Sequence, residues 1–199
     1  MRSSRGATLL LIAVALLAAG CSGSRTASSP YHAADISGIM PPLSFRLIGP
    51  AGQPITEQFL RGKTAILYFG YTHCPDECPT TLARVSASLK SLGGAADRVR
   101  VLFVSVDPAR DTPSVLAQYS HYFAPQVIGV SGTDDELLAL TKRYRIAYRR
   151  DPPDAQGNYV VYHSSAVLVF DAEGRARLLA PDSETPAQLA EDLSTLSAG

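Results

Sequence analysis

Two largely apolar runs with one helical pattern between them constrain the fold of this chain more than any other feature. The runs are Thr64–Gly70 and Val99–Val106, and runs of this length without polar alternation are typical of strands buried on both faces of a sheet. Apolar residues recur at helical spacing between them, at Leu82, Val85, Leu89 and Leu92. This order predicts an α/β sheet whose faces are covered by helices.

The rest of the chain continues this alternation of strands and helices. We expect further strands or strand-like runs at Leu43–Leu47, Val127–Val130, Tyr159–Val161, Ser165–Phe170 and Arg175–Ala180. We expect further helices from Thr112 to about Phe123, over Thr133–Tyr144 and over Pro186–Leu196, with the two threonines as N-caps. The pattern predicts one α/β domain over residues 41–199, with a mixed sheet flanked by helices and a C-terminal β-hairpin and helix.

Composition and charge are those of a foldable chain with no sign of nucleic-acid binding. Of the 199 residues, 46% are hydrophobic and 18% are charged, and the formal net charge is zero. A chain of this kind can bury a core. The sequence contains no basic run and no basic patch interleaved with aromatic residues, so we expect no nucleic-acid partner.

The N-terminus has the organisation of a bacterial export signal. Arg2 and Arg5 precede the uncharged apolar stretch Ala7–Ala19, and Cys21 directly follows Gly20. As a helix, that stretch would reach only ~20 Å, which is short of a hydrocarbon core of ~30 Å. We therefore expect a cleaved lipoprotein-type signal rather than a permanent membrane span, with lipidation of Cys21.

This signal sets the expected boundaries and location of the protein. Residues 1–20 form the signal peptide, and residues 21–40, which are rich in Ser, Gly and Ala, form a flexible tether. The mature protein is then a membrane-anchored lipoprotein of the bacterial cell envelope that faces the periplasm. A plain secretory signal and an uncleaved anchor with an incidental cysteine are the alternatives.

With Cys21 assigned to the anchor, Cys74 and Cys78 remain as a pair four residues apart. Cys74 follows a buried strand and Cys78 begins the next helix, where the positive end of the helix dipole favours thiolate. Thiolates attack disulfides and bind soft metals, and this spacing allows the two sulfurs to reach one ion or to close a disulfide. Pro79 suits a first helical turn and is expected to keep Cys78 extended. An inert structural bridge is the alternative.

A third metal ligand must come from elsewhere in the chain, and histidine is the obvious candidate. His32 lies in the expected tether and His121 on a helix, where both are expected to be surface or packing residues. His73 adjoins Cys74 and points away from it if the segment is extended. His163 lies between two apolar runs, in a segment that can reach the cysteines. Spacing alone leaves open that His163 is a structural histidine.

Four blocks of the sequence, in order, resemble the signature of the Sco/SenC family. The first and longest reads YFGYTHCPDECPTTL and carries both cysteines. The blocks are Tyr68–Leu82, Ser105–Pro113, Gly129–Thr133 and His163–Ser165. Because they are spread through the chain after about Leu43, the resemblance covers nearly the whole expected domain.

This resemblance implies a thioredoxin-like fold and a copper site formed by Cys74, Cys78 and His163. It also implies a role in delivering copper to the binuclear CuA site of cytochrome c oxidase, or in reducing the cysteines of that site. The implied partners are the oxidase subunit that carries CuA and a periplasmic copper donor. The ligand set is chemically consistent, since two thiolates favour Cu(I) while an imidazole supports Cu(II).

Three further residues lie near the expected site. Many members of the family have an acidic residue where this chain has Tyr162, and its absence can alter how the imidazole is oriented. Asp107 and Asp111 follow the second apolar run and are expected to shape a loop facing the site. An ordinary proline-bounded turn and helix cap would explain both residues equally well.

The sequence therefore supports a copper metallochaperone, which binds and transfers its metal rather than turning over a substrate. A thiol–disulfide oxidoreductase that uses Cys74 and Cys78, which form a disulfide when oxidised, is the second hypothesis. Peroxide reduction is disfavoured because Tyr71 stands where a threonine would be expected. A structural zinc site is disfavoured because three ligands do not complete a closed tetrahedron.

Overall fold

The computed structural model describes residues 29–198, which contain ten strands and four α-helices. The strands are β1 (Ala34–Asp35), β2 (Arg46–Ile48), β3 (Pro54–Thr56), β4 (Thr64–Gly70), β5 (Val99–Ser105), β6 (Val127–Val130), β7 (Tyr148–Arg150), β8 (Val161–His163), β9 (Val167–Phe170) and β10 (Ala176–Ala180). The helices are α1 (Glu77–Leu92), α2 (Pro113–His121), α3 (Asp134–Arg143) and α4 (Pro186–Ala198).

The central sheet has six strands in the order β1-β10-β9-β4-β5-β6. β4, β5 and β6 run parallel, whereas β9 pairs antiparallel with both β4 and β10. Every residue of β4 is buried, as expected for a strand covered on both faces. The structure thus confirms the predicted mixed sheet, the C-terminal hairpin formed by β9 and β10, and the final helix.

The other predicted strands and helices are confirmed with small shifts in their bounds. β4 and β6 have the predicted bounds, and β5 ends one residue early, at Ser105. Thr112 caps α2 through its hydroxyl, and Thr133 forms a capping box with Glu136 at the start of α3. The expected entry strand begins later, at Arg46, and forms a two-stranded hairpin with β3.

A second small hairpin, formed by β7 and β8, was not predicted. In its register Tyr148 lies opposite His163 and Arg150 opposite Val161. The expected run Tyr159–Val161 is therefore displaced, and His163 is the last residue of a strand. The sequence of β7 is Tyr-Arg-Arg, which has no apolar alternation to mark it as a strand.

The tether predicted over residues 21–40 is wrong at its C-terminal end. Ala34 pairs with Leu179 of β10, and both Ala33 and Ile36 are buried. The segment is held because the carboxylate of Asp192 accepts hydrogen bonds from the backbone N–H groups of residues 32 and 33. The signal peptide, Cys21 and the first part of the tether lie outside the described residues. Within residues 29–198, no helix is both long and apolar enough to cross a membrane.

Candidate metal centre

The two cysteines lie where β4 passes into α1, at the carboxyl end of a central parallel strand. Cys74 lies in the connecting loop and Cys78 is the second residue of α1. The expectation that Pro79 keeps Cys78 extended is wrong, because Cys78 is already helical. Pro79 is the third helical residue, and the first N–H groups of a helix have no intrahelical acceptor, so proline is tolerated there.

The β7–β8 hairpin brings His163 to this loop. Its Nε2 atom lies 3.2 Å from the Cys78 Sγ atom. The ligand atoms of Cys74, Cys78 and His163 all lie within 4.8 Å of one another and form a group that can hold a metal ion. Both cysteines are free thiols in this structure, so the predicted disulfide remains a prediction for an oxidised state.

Hydrogen bonding fixes the tautomer of His163. Its Nδ1 atom lies 3.1 Å from the carbonyl oxygen of Ser164. A carbonyl oxygen only accepts, so Nδ1 carries the proton and donates it. The lone pair of Nε2 then faces Cys78, whose S–H group donates to it. The imidazole is thus oriented with its free nitrogen toward the sulfurs, as a metal ligand requires.

The two sulfurs have different surroundings. Cys78 is fully buried, and burial raises the pKa of its thiol to about 12. The expected thiolate is therefore wrong for Cys78 in the metal-free state, because lost solvation outweighs the effect of the helix N-terminus. Cys74 is partly exposed, and its sulfur accepts a hydrogen bond of 3.3 Å from the backbone N–H of Cys78.

The other three histidines have contacts of their own, outside the group formed by Cys74, Cys78 and His163. His73 is exposed, with Nδ1 3.1 Å from the Thr72 hydroxyl. His32 contacts Glu191 at 2.8 Å, and His121 ends α2 on the surface. None belongs to the metal-binding group found among the described residues, which agrees with the roles expected from the sequence.

Asp111 fixes the loop that carries Cys74. It is buried and accepts hydrogen bonds from the backbone N–H and hydroxyl of Thr72 and from the hydroxyl of Ser105. These bonds join the end of β4 to the end of β5. The predicted loop-shaping role of Asp111 is confirmed.

Asp107 supports the histidine side of the site through Arg110. It is buried, forms an ion pair with Arg110, and accepts a hydrogen bond of 2.6 Å from the hydroxyl of Tyr159. The Arg110 guanidinium stacks 3.7 Å from the centre of the Tyr159 ring and donates to its carbonyl oxygen. This cluster fixes the segment that leads into β8. Sequence reasoning missed Arg110 and Tyr159, since only the folded chain brings them together.

The rings of two tyrosines of the first motif block pack against the imidazole of His163. The rings of Tyr68 and Tyr71 meet His163 edge to face, at centroid distances of 6.2 and 6.1 Å. Burial raises the pKa of both phenols, so each remains protonated. These ring contacts were not predicted from the sequence, in which Tyr68 belongs to an apolar run and Tyr71 directly follows it.

Gly70 is required by the close approach of α1 to β4. A Cβ atom at this position would lie 2.8 Å from the Cys78 sulfur and 2.7 Å from a ring carbon of Phe103. Any side chain would displace one of these buried groups. The glycine of the motif therefore allows the buried sulfur to pack directly against the strand.

Tyr162 lies on the other face of β8 from His163, because successive side chains of a strand alternate. It is 51% exposed, and its ring lies 4.6 Å from the guanidinium carbon of Arg149. The carbonyl of Ser164 bonds the Nδ1 atom of His163. The tyrosine in place of an acidic residue consequently leaves the imidazole with a hydrogen-bond partner.

The mixed sheet, the two cysteines at the start of α1 and the histidine on the small hairpin define a thioredoxin-like domain with a Cys-Cys-His site that can bind metal. The sequence model of the SCO1/SenC family matches residues 41–198. The chain therefore belongs to the SCO1/SenC family.

Individual relatives agree with this assignment. The mitochondrial protein SCO2 of Saccharomyces cerevisiae is 42% identical over 135 residues, which are 66% of this chain and 44% of the yeast protein. The structure of Bradyrhizobium japonicum ScoI with copper bound has 35% identity and a TM-score of 0.72, covering 78% of this chain and 98% of that one. Yeast Sco1 with copper bound has 32% identity and a TM-score of 0.71, covering 78% and 88%. The matched segment is less than two thirds of the yeast SCO2 protein.

Proposed function

We propose that this protein binds copper through Cys74, Cys78 and His163 and helps to assemble the CuA centre of cytochrome c oxidase. The observation that carries this proposal is the convergence of the three ligand atoms within 4.8 Å in a chain of the SCO1/SenC family. Its relatives from B. japonicum and yeast have been solved with copper bound. The oxidase is inferred from the role of the family.

The donor set fits copper in both oxidation states. Two cysteine sulfurs suit Cu(I), and an imidazole nitrogen supports Cu(II). Nε2 of His163 already carries a lone pair, because Nδ1 donates to Ser164. Three protein ligands leave the site short of a closed tetrahedron, which disfavours structural zinc and suits a metal that must later leave.

Binding copper requires the loss of one proton from the hydrogen bond between Cys78 and His163. The S–H group of Cys78 donates to Nε2 of His163 in the metal-free protein, and both atoms would become available to a metal once that proton has left. Since burial raises the pKa of the Cys78 thiol to about 12, copper affinity should increase with pH in the neutral range. Cys74, which is partly exposed, is the ligand that a partner can reach first during transfer.

A thiol–disulfide oxidoreductase is the second candidate, supported by the two free and adjacent thiols. The sulfur of Cys74, which is partly exposed, would attack a disulfide of the partner as the thiolate and form a mixed disulfide. Cys78 would then lose its proton and attack the Cys74 sulfur, which releases the partner as a dithiol and leaves the Cys74–Cys78 disulfide. Two electrons pass to the partner. The high pKa of Cys78 disfavours the second step at neutral pH.

Copper titration of the reduced full-length protein in detergent tests the proposal. We expect one copper per chain, lost in His163→Ala and in either Cys→Ser variant. His73→Ala is the matched control, since His73 adjoins Cys74 but lies outside the group, and it should bind normally. If copper binds weakly and His163→Ala still reduces an oxidised CuA domain at the parental rate, the oxidoreductase takes precedence.

We also propose that a lipid on Cys21 anchors the protein in the bacterial cell envelope, where a periplasmic donor supplies its copper. The support is the order of basic residues, apolar stretch and cysteine at the N-terminus. In Cys21→Ser, the protein should lose its incorporated lipid label and leave the membrane fraction. A protein that keeps both properties in this variant would show that the anchor is something else.

A further inference from the structure

The hydroxyl group of Tyr68 is buried beside the metal centre without a hydrogen-bond partner. The side chain is fully buried in the core. Buried hydroxyl groups are normally paired, because burial removes the water that would otherwise solvate them. The Tyr68 hydroxyl therefore has a proton to donate to any neighbouring group that becomes a better acceptor when metal binds.

The position of Tyr68 points to Cys78 as the missing partner. Along β4, Tyr68 lies on the same face as Gly70, and the Cys78 sulfur lies directly against Gly70. The Tyr68 ring also packs on the edge of His163. The phenol hydroxyl faces the sulfur of Cys78 and the hydroxyl of Thr81 but makes a well-formed bond to neither.

We propose that Tyr68 donates a hydrogen bond to the Cys78 sulfur when that sulfur binds a metal, and thereby acts as a positioning residue for the buried ligand. This inference rests on the proposed copper binding. In the free protein the Cys78 S–H group donates to His163, and a neutral sulfur is a weak acceptor. Metal binding releases the thiol proton to solvent and leaves a negatively charged sulfur.

A hydrogen bond from a neutral hydroxyl to a charged sulfur is stronger than one to a neutral group. The thiolate of Cys78 is therefore a better acceptor for Tyr68 than the hydroxyl of Thr81. Hydrogen bonds around a copper-bound cysteine also tune the reduction potential of the metal. Such a bond draws electron density from the sulfur, so the sulfur-to-Cu(II) charge-transfer band moves to higher energy and the potential rises.

Tyr68→Phe and Tyr119→Phe form a matched pair of variants for the test. Tyr119 also has a buried hydroxyl without a partner, and its ring lies 5.3 Å from Phe103, on which Tyr68 also stacks. Burial, and after it charge on the cysteines, raises the pKa of Tyr119, but its hydroxyl makes no hydrogen bond to Cys78. Each variant removes one buried oxygen atom and keeps the ring.

In full-length protein in detergent, Tyr68→Phe should bind copper about 10-fold more weakly. Its charge-transfer band should move to longer wavelength and its copper reduction potential should fall. Tyr119→Phe should match the parent in all three. The Tm of metal-free Tyr68→Phe should equal that of the parent, because the lost hydroxyl had no partner.

Spectra and potentials that are the same in Tyr68→Phe and the parent would overturn the inference. Equal shifts in Tyr68→Phe and Tyr119→Phe would also overturn it, because they would indicate a general effect of packing. Cadmium(II), whose thiolate charge-transfer band lies in the ultraviolet, separates this inference from the proposed function. If the parent binds no copper, the copper proposal fails, and the cadmium band of the same two variants then decides the role of Tyr68.

Discussion

The metal centre is assembled from two regions that the fold holds in different ways. Cys74 lies in the loop between β4 and α1, Cys78 lies in the first turn of α1, and the buried sulfur of Cys78 packs against the central sheet at Gly70. His163 lies on the β7–β8 hairpin, a separate sheet of two three-residue strands. We call these the thiol half and the histidine half. The thiol half is part of the core, whereas the histidine half is a small separate hairpin that joins the core through Val161 and through ring contacts, and is further held by polar contacts.

This difference indicates how each half can change. A substitution in the thiol half disturbs the core and should alter stability and metal binding together. The histidine half is anchored by the cluster of Asp107, Arg110 and Tyr159. Its loosening should lower metal affinity and leave the core intact, so copper can be bound or released there without unfolding the domain.

The largest effect is expected in the thiol half, for Gly70→Ala. The new methyl group would overlap the Cys78 sulfur and Phe103, which should lower the free energy of unfolding by about 1–3 kcal/mol and also impair copper binding. Urea unfolding and copper titration measure the two effects. Gly94→Ala is the control, because a Cβ there meets nothing within 4 Å. Equal stability of the two variants would show that α1 is not packed tightly against β4.

The second largest effect is expected in the histidine half, for Arg110→Ala. Removing the guanidinium releases Tyr159 and leaves Asp107 buried without its ion-pair partner. Copper affinity should fall by about 10–100-fold, while alkylation of Cys74 in the metal-free protein keeps the parental rate. Arg149→Ala, which removes a guanidinium from the exposed face of the same hairpin, is the control. A parallel change in Cys74 reactivity would contradict the separation of the two halves.

A buried carboxyl group just before α4, the helix that packs against α1, should make stability depend on pH. Burial, together with the charge of Asp192, raises the pKa of Glu184 to about 7 from an ordinary 4.5, next to Arg84 of α1. The folded state then binds more protons than the unfolded state between these values, so stability falls as pH rises from 4.5 to 7. The loss should be roughly 1–2 kcal/mol after solvent screening.

Glu184→Gln tests this pH dependence, because glutamine has a similar shape and no titrating group. The variant should be less sensitive to pH than the parent between pH 4.5 and 7.5, as measured by urea unfolding. Identical pH profiles for the two proteins would assign the dependence to other groups. Copper affinity at constant pH should change little, since Glu184 lies outside both halves.

The smallest effect is expected for Tyr162→Asp, which restores an acidic residue before His163. The side chain lies on the exposed face of the hairpin, and Ser164 already bonds the Nδ1 atom of the imidazole. Copper affinity should therefore change by less than about threefold, far below the 10–100-fold typical of a lost partner of a metal ligand. Tyr162→Phe serves as the neutral comparison. A tenfold gain in Tyr162→Asp alone would show that the carboxylate does reach the histidine.

The thiol half was largely predictable from the sequence and the histidine half was not. The apolar run Thr64–Gly70 and the pair Cys74 and Cys78 give a local signal, because strand, loop and helix are consecutive. His163 depends on pairing with Tyr148–Arg150, a polar segment without strand periodicity. Only the family resemblance identified His163 as a ligand.

Two expectations failed because they depend on long-range burial. A thiolate was expected at Cys78 from its position at a helix N-terminus, but the sequence does not reveal that the sulfur is enclosed by the sheet. The end of the tether was expected to be free, yet Asp192, about 160 residues away in the chain, binds it. Neither effect leaves a local pattern.

X-ray absorption at the copper edge tests most directly whether the thiol half and the histidine half bind the same copper ion. The measurement compares the copper-loaded full-length protein with its His163→Ala variant. The account predicts two sulfur ligands and one nitrogen ligand in the parent, with the nitrogen lost and both sulfurs kept in the variant. The same sulfur and nitrogen shells in both proteins would contradict the assignment of His163 as the third ligand.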